Sequence, residues 1–369
     1  MLIPNYIFPP NIILMNRSLD YLMVQVIRQL SELEIADIIK QNGGKLSAKE
    51  LSILTNTNEE SLSRMLRAVS SKGIFHHHGN GIYSNNRLSS VLRKDHPNSV
   101  KYFFELHADE SYKAAAHLDQ ALKYPNGWDD MDVDNIKEQE FITPWYKAYG
   151  IKGWKFYDLP ENKYRRIRFD KAMASGSGFI GDGIFVDYDW GLNENSTAVD
   201  VDGGNGGVML ELLNRYKTKG VIFDLPQVME NTRKIWNEEH KEFLDRVKFF
   251  PGSFFEDHPP QADVYFLRWI LHDWSDTLSV KILKNLRSSI SSNSTTTSTR
   301  LIILESILDD SVHDSLLTQI DMIMLTFDFG KERTLQNFIK ILKKSGWKYV
   351  KHVNCRGPMS LIEAVPDFD

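Results

Sequence analysis

From Ser196 onward, five short apolar runs alternate with helical patterns: Ala198 to Val201, Gly220 to Phe223, Val247 to Phe250, Val264 to Leu267 and Leu301 to Leu304. The helical patterns cover Val208 to Tyr216, Val228 to Trp236, Thr277 to Ile290 and Leu316 to Leu325. Such alternation predicts an α/β fold with a mostly parallel, doubly wound sheet. Trp347 to Val353 and Ser360 to Val365 flank a short turn through Arg356, Gly357 and Pro358, which predicts an antiparallel hairpin at the sheet edge.

The earlier half of the chain reads differently. Leu62, Met65, Leu66 and Val69 form the buried stripe of a helix over Glu59 to Ser71, preceded by a short helix that Ser47 and Glu50 open with a capping box. Two short strands, Gly73 to Phe75 and Gly81 to Tyr83, complete a winged helix-turn-helix. The expected division is a winged-helix domain over 1–100, a mostly helical, aromatic-rich region over 101–187 and an α/β domain over 188–369. The aromatics of the middle region, among them Trp128, Trp145, Tyr149, Trp154 and Phe156, suit either a core or the wall of a pocket for a flat ligand. The Ser/Thr/Asn tract from Ser288 to Thr299 reads as a disordered loop.

Composition narrows the function classes. Across 369 residues, 44 Lys plus Arg stand against 49 Asp plus Glu, a net charge of −5 that draws neither nucleic acid nor an acidic membrane. The winged helix still raises duplex binding through Arg64, Arg67 and Lys72, but Glu59 and Glu60 open the would-be recognition helix and repel phosphate. His76, His77 and His78 follow one another at the wing, where consecutive side chains point to different faces, so no metal is expected there. The single cysteine, Cys355, excludes an internal disulfide and a multi-cysteine metal site and points to a reducing, cytosolic setting. No apolar stretch approaches membrane-spanning length, and no signal peptide is evident.

The first α/β strand runs through Asp200, Val201 and Asp202 into Gly203, Gly204, Asn205, Gly206 and Gly207, and then into a helix. Glycines at such a turn let the backbone approach a ligand beside a helix N-terminus. The dinucleotide pattern fails by one residue in either register, at Met209 or at Asp202, and two aspartates would repel a pyrophosphate. A cationic cofactor without phosphate fits better, and Asp224, twenty residues beyond Gly204, stands where a carboxylate can hold ribose hydroxyls.

At the end of the fourth strand comes Arg268-Trp269-Ile270-Leu271-His272-Asp273-Trp274-Ser275-Asp276. With Pro144 to Gly150, Phe169 to Met173 and Gly330 to Thr334, this segment strongly resembles the S-adenosylmethionine-dependent O-methyltransferases that include the plant caffeic acid and flavonoid enzymes and the acetylserotonin enzymes. The resemblance covers nearly the whole chain. It implies a Rossmann-like catalytic domain with a seven-stranded sheet, an N-terminal dimerisation domain, a homodimer, S-adenosylmethionine as cofactor and no metal. It also implies that His272 is the general base, flanked by Glu305 and Glu332.

Methyl transfer from a sulfonium is an in-line displacement in which the acceptor oxygen must lose its proton. A phenol, with a pKa of about 10, is a weak nucleophile at neutral pH, and a positioned imidazole contributes roughly 10²–10⁴-fold. Carried over position by position, the resemblance assigns the cofactor to Ser177, Asp200, Gly204, Gly206, Asp224, Leu225, Ser253, Phe254 and Arg268. It assigns a small phenolic or polyketide-like acceptor to Trp145, Met173, Trp269, Asp273 and Met324. This chain has Asp202 where the family's first loop glycine stands, Ser253 in place of its adenine-binding aspartate, and Phe327 and Phe329 beside Asp328, which suggests an apolar acceptor. Two other functions share these features: a same-fold enzyme that uses the cofactor for different chemistry, and a winged-helix DNA-binding regulator.

Overall fold

The computed structural model describes residues 8–123, 143–180, 183–290, 299–309, 315–328, 330–357 and 359–368. Trp128, Phe329, the side chain of Ser177 and the Ser/Thr tract over 291–298 lie outside the described residues. Two compact units emerge: Met1–Tyr112 with Ile167–Gly178, and Lys113–Arg166 with Phe179–Asp369. Segment 101–187 is thus shared between them.

The second unit is built on seven strands: β1 (Thr197–Val201), β2 (Lys219–Asp224), β3 (Val247–Pro251), β4 (Val264–Arg268), β5 (Arg300–Glu305), β6 (Trp347–Asn354) and β7 (Ser360–Pro366). Their spatial order is β6-β7-β5-β4-β1-β2-β3. The pairs from β3 through β5 are parallel, whereas β7 runs antiparallel to both β5 and β6. The apolar runs are explained by burial on both faces. Ala198, Ile222, Phe266, Ile302 and Leu304 join one core, while Val199, Val201, Val221, Phe223, Tyr265, Leu267, Leu301 and Ile303 join the other. A central parallel strand covered on two sides has no polar face to alternate with.

Helices Gly207–Arg215 and Pro226–Glu239 cover the first core through Met209, Leu212, Met229 and Trp236. Helices Asp276–Ser288 and Leu335–Lys344 cover the second through Ile282, Leu283, Phe338 and Ile341. Strand order reverses direction of growth between β1 and β4, and in open α/β sheets the crevice beyond the strand C-termini at that switch point takes the ligand. Asp200, Asp224, Arg268 and Glu305 all lie at or near those ends.

In the first unit, the capping box at Ser47 and Glu50 forms as read, and Asn58 caps helix Glu59–Ser71 by accepting from Ser61 N. The wing departs from the expectation. Its strands are His76–His77 and Ile82–Ser84, and a third strand, Lys45–Ser47, pairs with the latter. Gly73 and Phe75 both have left-handed φ, +79° and +64°, so Gly73 to Phe75 cannot extend. Among the described residues, no helix is long and apolar enough to cross a membrane.

Candidate active site

His272 sits in a single 3₁₀ turn, Leu271–Asp273, directly after β4. The turn is anchored on three sides. Glu305, the last residue of neighbouring β5, accepts hydrogen bonds from Ile270 N at 3.0 Å and Leu271 N at 2.9 Å through Oε1. The fully buried Arg333 donates to Leu271 O at 2.5 Å, Trp274 O at 2.7 Å and Ser279 Oγ at 3.1 Å, and its Nε pairs with Asp276 at 2.9 Å. Lys331 N donates to His272 O at 2.8 Å. Gly330 permits this approach, because a Cβ there would lie 3.0 Å from His272 O and 3.2 Å from Met324 O.

The predicted trio converges. His272 Nδ1 lies 2.9 Å from Glu332 Oε1 and 3.7 Å from Glu305 Oε2. A two-residue parallel ladder pairs Arg333 with Ile307 and Thr334 with Leu308, which fixes Glu332 beside the end of β5. Ligand atoms of the three residues fall within 4.8 Å of one another. Asp273, assigned above to the acceptor, places Oδ1 3.7 Å from Nε2, on the other edge of the ring. Trp269 stacks 6.5 Å from the imidazole and holds a left-handed φ of +56°, a strained state for a bulky residue.

Burial alone would push the His272 ring below its ordinary value, but the carboxylates of Glu305, Asp273 and Glu332 outweigh it and hold it up at about 10. Burial raises Asp273 to about 6 and Glu305 to about 7. Glu305 Oε2 and Glu332 Oε2 are buried without hydrogen-bond partners. The imidazole is therefore strongly basic, with carboxylates placed to receive a positive charge.

The glycine loop lies between β1 and helix Gly207–Arg215. Asp224 Oδ2 accepts from Gly204 N at 2.8 Å and its Oδ1 from Leu225 N at 2.6 Å. Gly204, at φ +55°, faces open space, since no atom lies within 4 Å of where a Cβ would stand. Gly206 has a different reason to be glycine: a Cβ would meet Ile222 at 2.4 Å and Trp236 at 3.0 Å. Asp200 receives a bond from Met209 N, and burial pushes it up to about 7 against the pull of Arg268. Phe254 packs on Phe255 at 4.7 Å and on Trp274 at 5.9 Å. Ser253 is occupied locally, its N donating to Asp257 and its Oγ accepting from Phe255 N. An open cradle lined by a ribose-competent carboxylate, aromatic rings and half-buried Arg268 suits a nucleoside that carries an amino acid.

Trp145 belongs to an aromatic cluster with Tyr149, Phe156, Tyr157 and Phe327, at 4.7 to 5.9 Å between ring centroids. Its Nε1 is buried without a hydrogen-bond partner. Phe327 also meets Trp154 at 5.3 Å. Asp328, to which no role was assigned, accepts hydrogen bonds from Gly153 N and, at 3.3 Å, from Thr143 Oγ1, so it joins the helices Pro144–Tyr149 and Gly153–Asp158 to the loop that leads to Glu332. Burial pushes this carboxyl up to about 7. Only an isolated Asp between two phenylalanines could have signalled it. Met173 and Ser177 lie on helix Lys163–Ile180, in the portion belonging to the first unit.

Comparisons with known proteins agree with this geometry. The model of the O-methyltransferase domain matches residues 128–348, and that of the O-methyltransferase dimerisation domain matches residues 15–95. The O-methyltransferase gedA of Aspergillus terreus is 29% identical over 385 aligned positions, which cover 90% of this chain and 78% of that protein. The mitomycin biosynthesis 6-O-methyltransferase of Streptomyces lavendulae is 28% identical over 335 positions, covering 90% and 88%. The crystal structure of LaPhzM matches with a TM-score of 0.83 at 25% identity, over 97% of this chain and 100% of that one. With a basic imidazole held between carboxylates beside an open glycine cradle, on a sheet and an N-terminal domain that both match, this chain belongs to the S-adenosylmethionine-dependent O-methyltransferases.

Proposed function

We propose that the protein methylates a hydroxyl of a small aromatic acceptor, phenolic or polyketide-like, with His272 Nε2 as general base. The 2.9 Å contact between Nδ1 and Glu332 carries this reading. A carboxylate only accepts, so Nδ1 bears the hydrogen in the neutral ring and Nε2 presents the lone pair. When the acceptor loses its proton to Nε2, the resulting imidazolium is stabilised by Glu332 and by Glu305, whose free Oε2 lies 3.7 Å from Nδ1. The bound cofactor supplies the electrophilic methyl group. Asp224 holds the ribose, Phe254 and Leu225 flank the adenine with Ser253 nearby, and Asp200, Gly204 and Arg268 serve the amino-acid end; Ser177 remains assigned to the cofactor. Trp145, Trp269 and Met324 clamp the acceptor ring, Met173 remains assigned to the acceptor, and the many aromatic edges favour a flat, largely apolar one.

The N-terminal domain pairs two copies into a homodimer in this reading, and the chain works in the cytosol. The decisive experiment is mass spectrometry after incubation with S-adenosylmethionine and a panel of phenols and hydroxyquinones. A product heavier by one methyl group, lost in His272→Ala, supports the reading. Cofactor binding without methylation across the panel, or full activity in that variant, overturns it.

A further inference from the structure

His272 is carried by a turn too short to hold itself. The 3₁₀ turn Leu271–Asp273 closes on Trp274 N, which donates to Leu271 O at 3.2 Å. A lone turn of this kind fixes little backbone by its own hydrogen bonds. Its position comes from three successive residues of another segment. Lys331 N holds the carbonyl of His272 at 2.8 Å, and Glu332 holds the ring through Nδ1 at 2.9 Å. The Arg333 guanidinium takes the carbonyls before and after, Leu271 O at 2.5 Å from Nη1 and Trp274 O at 2.7 Å from Nη2. Segment 331–333 is itself fixed: Glu332 N donates to Asp321 Oδ1 at 2.9 Å, and a parallel ladder pairs Arg333 with Ile307, two residues beyond Glu305.

Charge balance does not explain a guanidinium at this place. Arg333 is fully buried, where a cation is costly unless its donors are met. Its partner Asp276, at 2.9 Å from Nε, also has Lys331 Nζ at 3.1 Å. An ion pair with Asp276 would be served by any cation. Shape is what calls for arginine: a planar fork reaches two carbonyls, the Ser279 hydroxyl and a carboxylate at once, whereas a lysine ammonium brings the charge without the span.

We propose that Arg333 is a positioning residue for methyl transfer: it grips the carbonyls that bracket His272 while its chain neighbour Glu332 holds the ring, and so sets the imidazole where Nε2 can take the acceptor's proton. The inference rests on the reading of His272 as general base. Arg333 acts through His272, so the part of the rate that it controls is proton removal. An acceptor that arrives already ionised does not need it.

The test uses phenols made progressively more acidic by ring fluorination, from a pKa of about 10 to below neutrality. They serve as acceptors at neutral pH for the wild-type chain, His272→Ala and Arg333→Lys, with the methylated product read by mass spectrometry. For the least acidic phenols Arg333→Lys is expected to lower kcat on the order of 10- to 100-fold, with KM for S-adenosylmethionine near that of the wild type. For phenols ionised in solution the deficit shrinks to within about threefold. A merely structural defect lowers the rate equally across the series.

His272→Ala separates the two claims. If its own deficit does not shrink with acceptor acidity, or no phenol is methylated by the wild type, the base reading fails and takes the inference with it. If that deficit shrinks while the deficit of Arg333→Lys stays constant, the base stands and the inference is overturned. Ser279→Ala removes a hydroxyl that lies 3.1 Å from Nη2 and 3.3 and 3.4 Å from the carbonyls of Leu271 and Trp274, so it loosens the same grip without removing a charge. It is the variant to read if Arg333→Lys does not fold. Its loss is expected to be smaller and to depend on acidity in the same way, and a uniform loss or none overturns the inference.

Discussion

The two units bury charge in opposite ways. In the N-terminal unit, buried Arg168 bonds Asp109 at 2.9 Å and Glu110 at 2.6 Å, and Lys101 bonds Glu105 at 2.6 Å, with Ser31 Oγ donating to the same Glu105 at 2.7 Å. Each buried cation there is matched by carboxylates. Around His272, three carboxylates share one imidazole, and two buried oxygens have no hydrogen-bond partner. Buried ion pairs with satisfied partners hold a shape. A surplus of buried carboxylate is instead a cost to folding that the rest of the core must offset.

Removing the centre of each arrangement should expose that difference most strongly. His272→Ala is expected to lower turnover roughly 10²–10⁴-fold, with cofactor affinity near that of the wild type and a thermal midpoint that falls less than in the Arg168 variant, because Asp273 and Glu305 can take up protons, measured by steady-state kinetics and thermal unfolding. Arg168→Met should do the reverse: taking the guanidinium away from buried Glu110, and from Asp109, which keeps Arg28 at 3.3 Å, costs about 3–5 kcal/mol, read from denaturant midpoints. If His272→Ala unfolds the protein, or Arg168→Met is neutral, the contrast fails.

Smaller changes sharpen it. Glu332→Gln keeps an acceptor for Nδ1 but removes a negative charge, so turnover should fall about tenfold and the rising limb of kcat/KM should move to lower pH. Asp328→Ala removes the acceptor for Gly153 N and Thr143 Oγ1. It should raise KM for the acceptor several-fold with a lesser effect on kcat, and Asp328→Asn should restore most of the loss. Equal changes in kcat and KM would show that Asp328 serves the base rather than the aromatic wall.

The weakest effect is the most revealing, because it sets activity against stability. The folded imidazole titrates at about 10, above its ordinary value. Its favourable ion pairing is complete below that ordinary value and is lost as pH rises through 10. Asp200 and Glu305 at about 7 and Asp273 at about 6 are also raised, so the folded state holds protons that the unfolded chain gives up, and stability falls as pH climbs through this range. The proposed base works only as the neutral ring. The expected result is kcat/KM that rises from neutrality toward pH 10 while the melting temperature declines. A flat melting temperature over pH 5–9 would contradict the assignment of uncompensated carboxyls.

Much of this molecule could be read from residues in order. The sheet was legible because fully buried strands are continuous apolar runs, and the His272–Glu305–Glu332 grouping only through the resemblance of the segments around His272 and Gly330 to a known family. What escaped are contacts between distant residues. Nothing in the sequence around Asp328 points to Gly153, and nothing around Arg333 shows that its guanidinium gathers the carbonyls of Leu271 and Trp274. The left-handed turns at Phe75, Asp202 and Trp269 were equally hidden, since each puts a bulky or charged side chain where glycine is the default.

The order of strands bears on how the protein is made. β7 follows every other strand in the chain, yet it lies inside the sheet, between β5 and β6. Until the ribosome has passed residue 366, the strand that ends in Glu305 has an open side, with Leu301 to Glu305 lacking the partners that β7 supplies. An unpaired apolar edge of that kind invites association with other chains. A nascent chain that stops short of Ser360 is thus not a slightly shortened enzyme but a hazard for aggregation, and it is the arrival of β7 that closes the open side of β5.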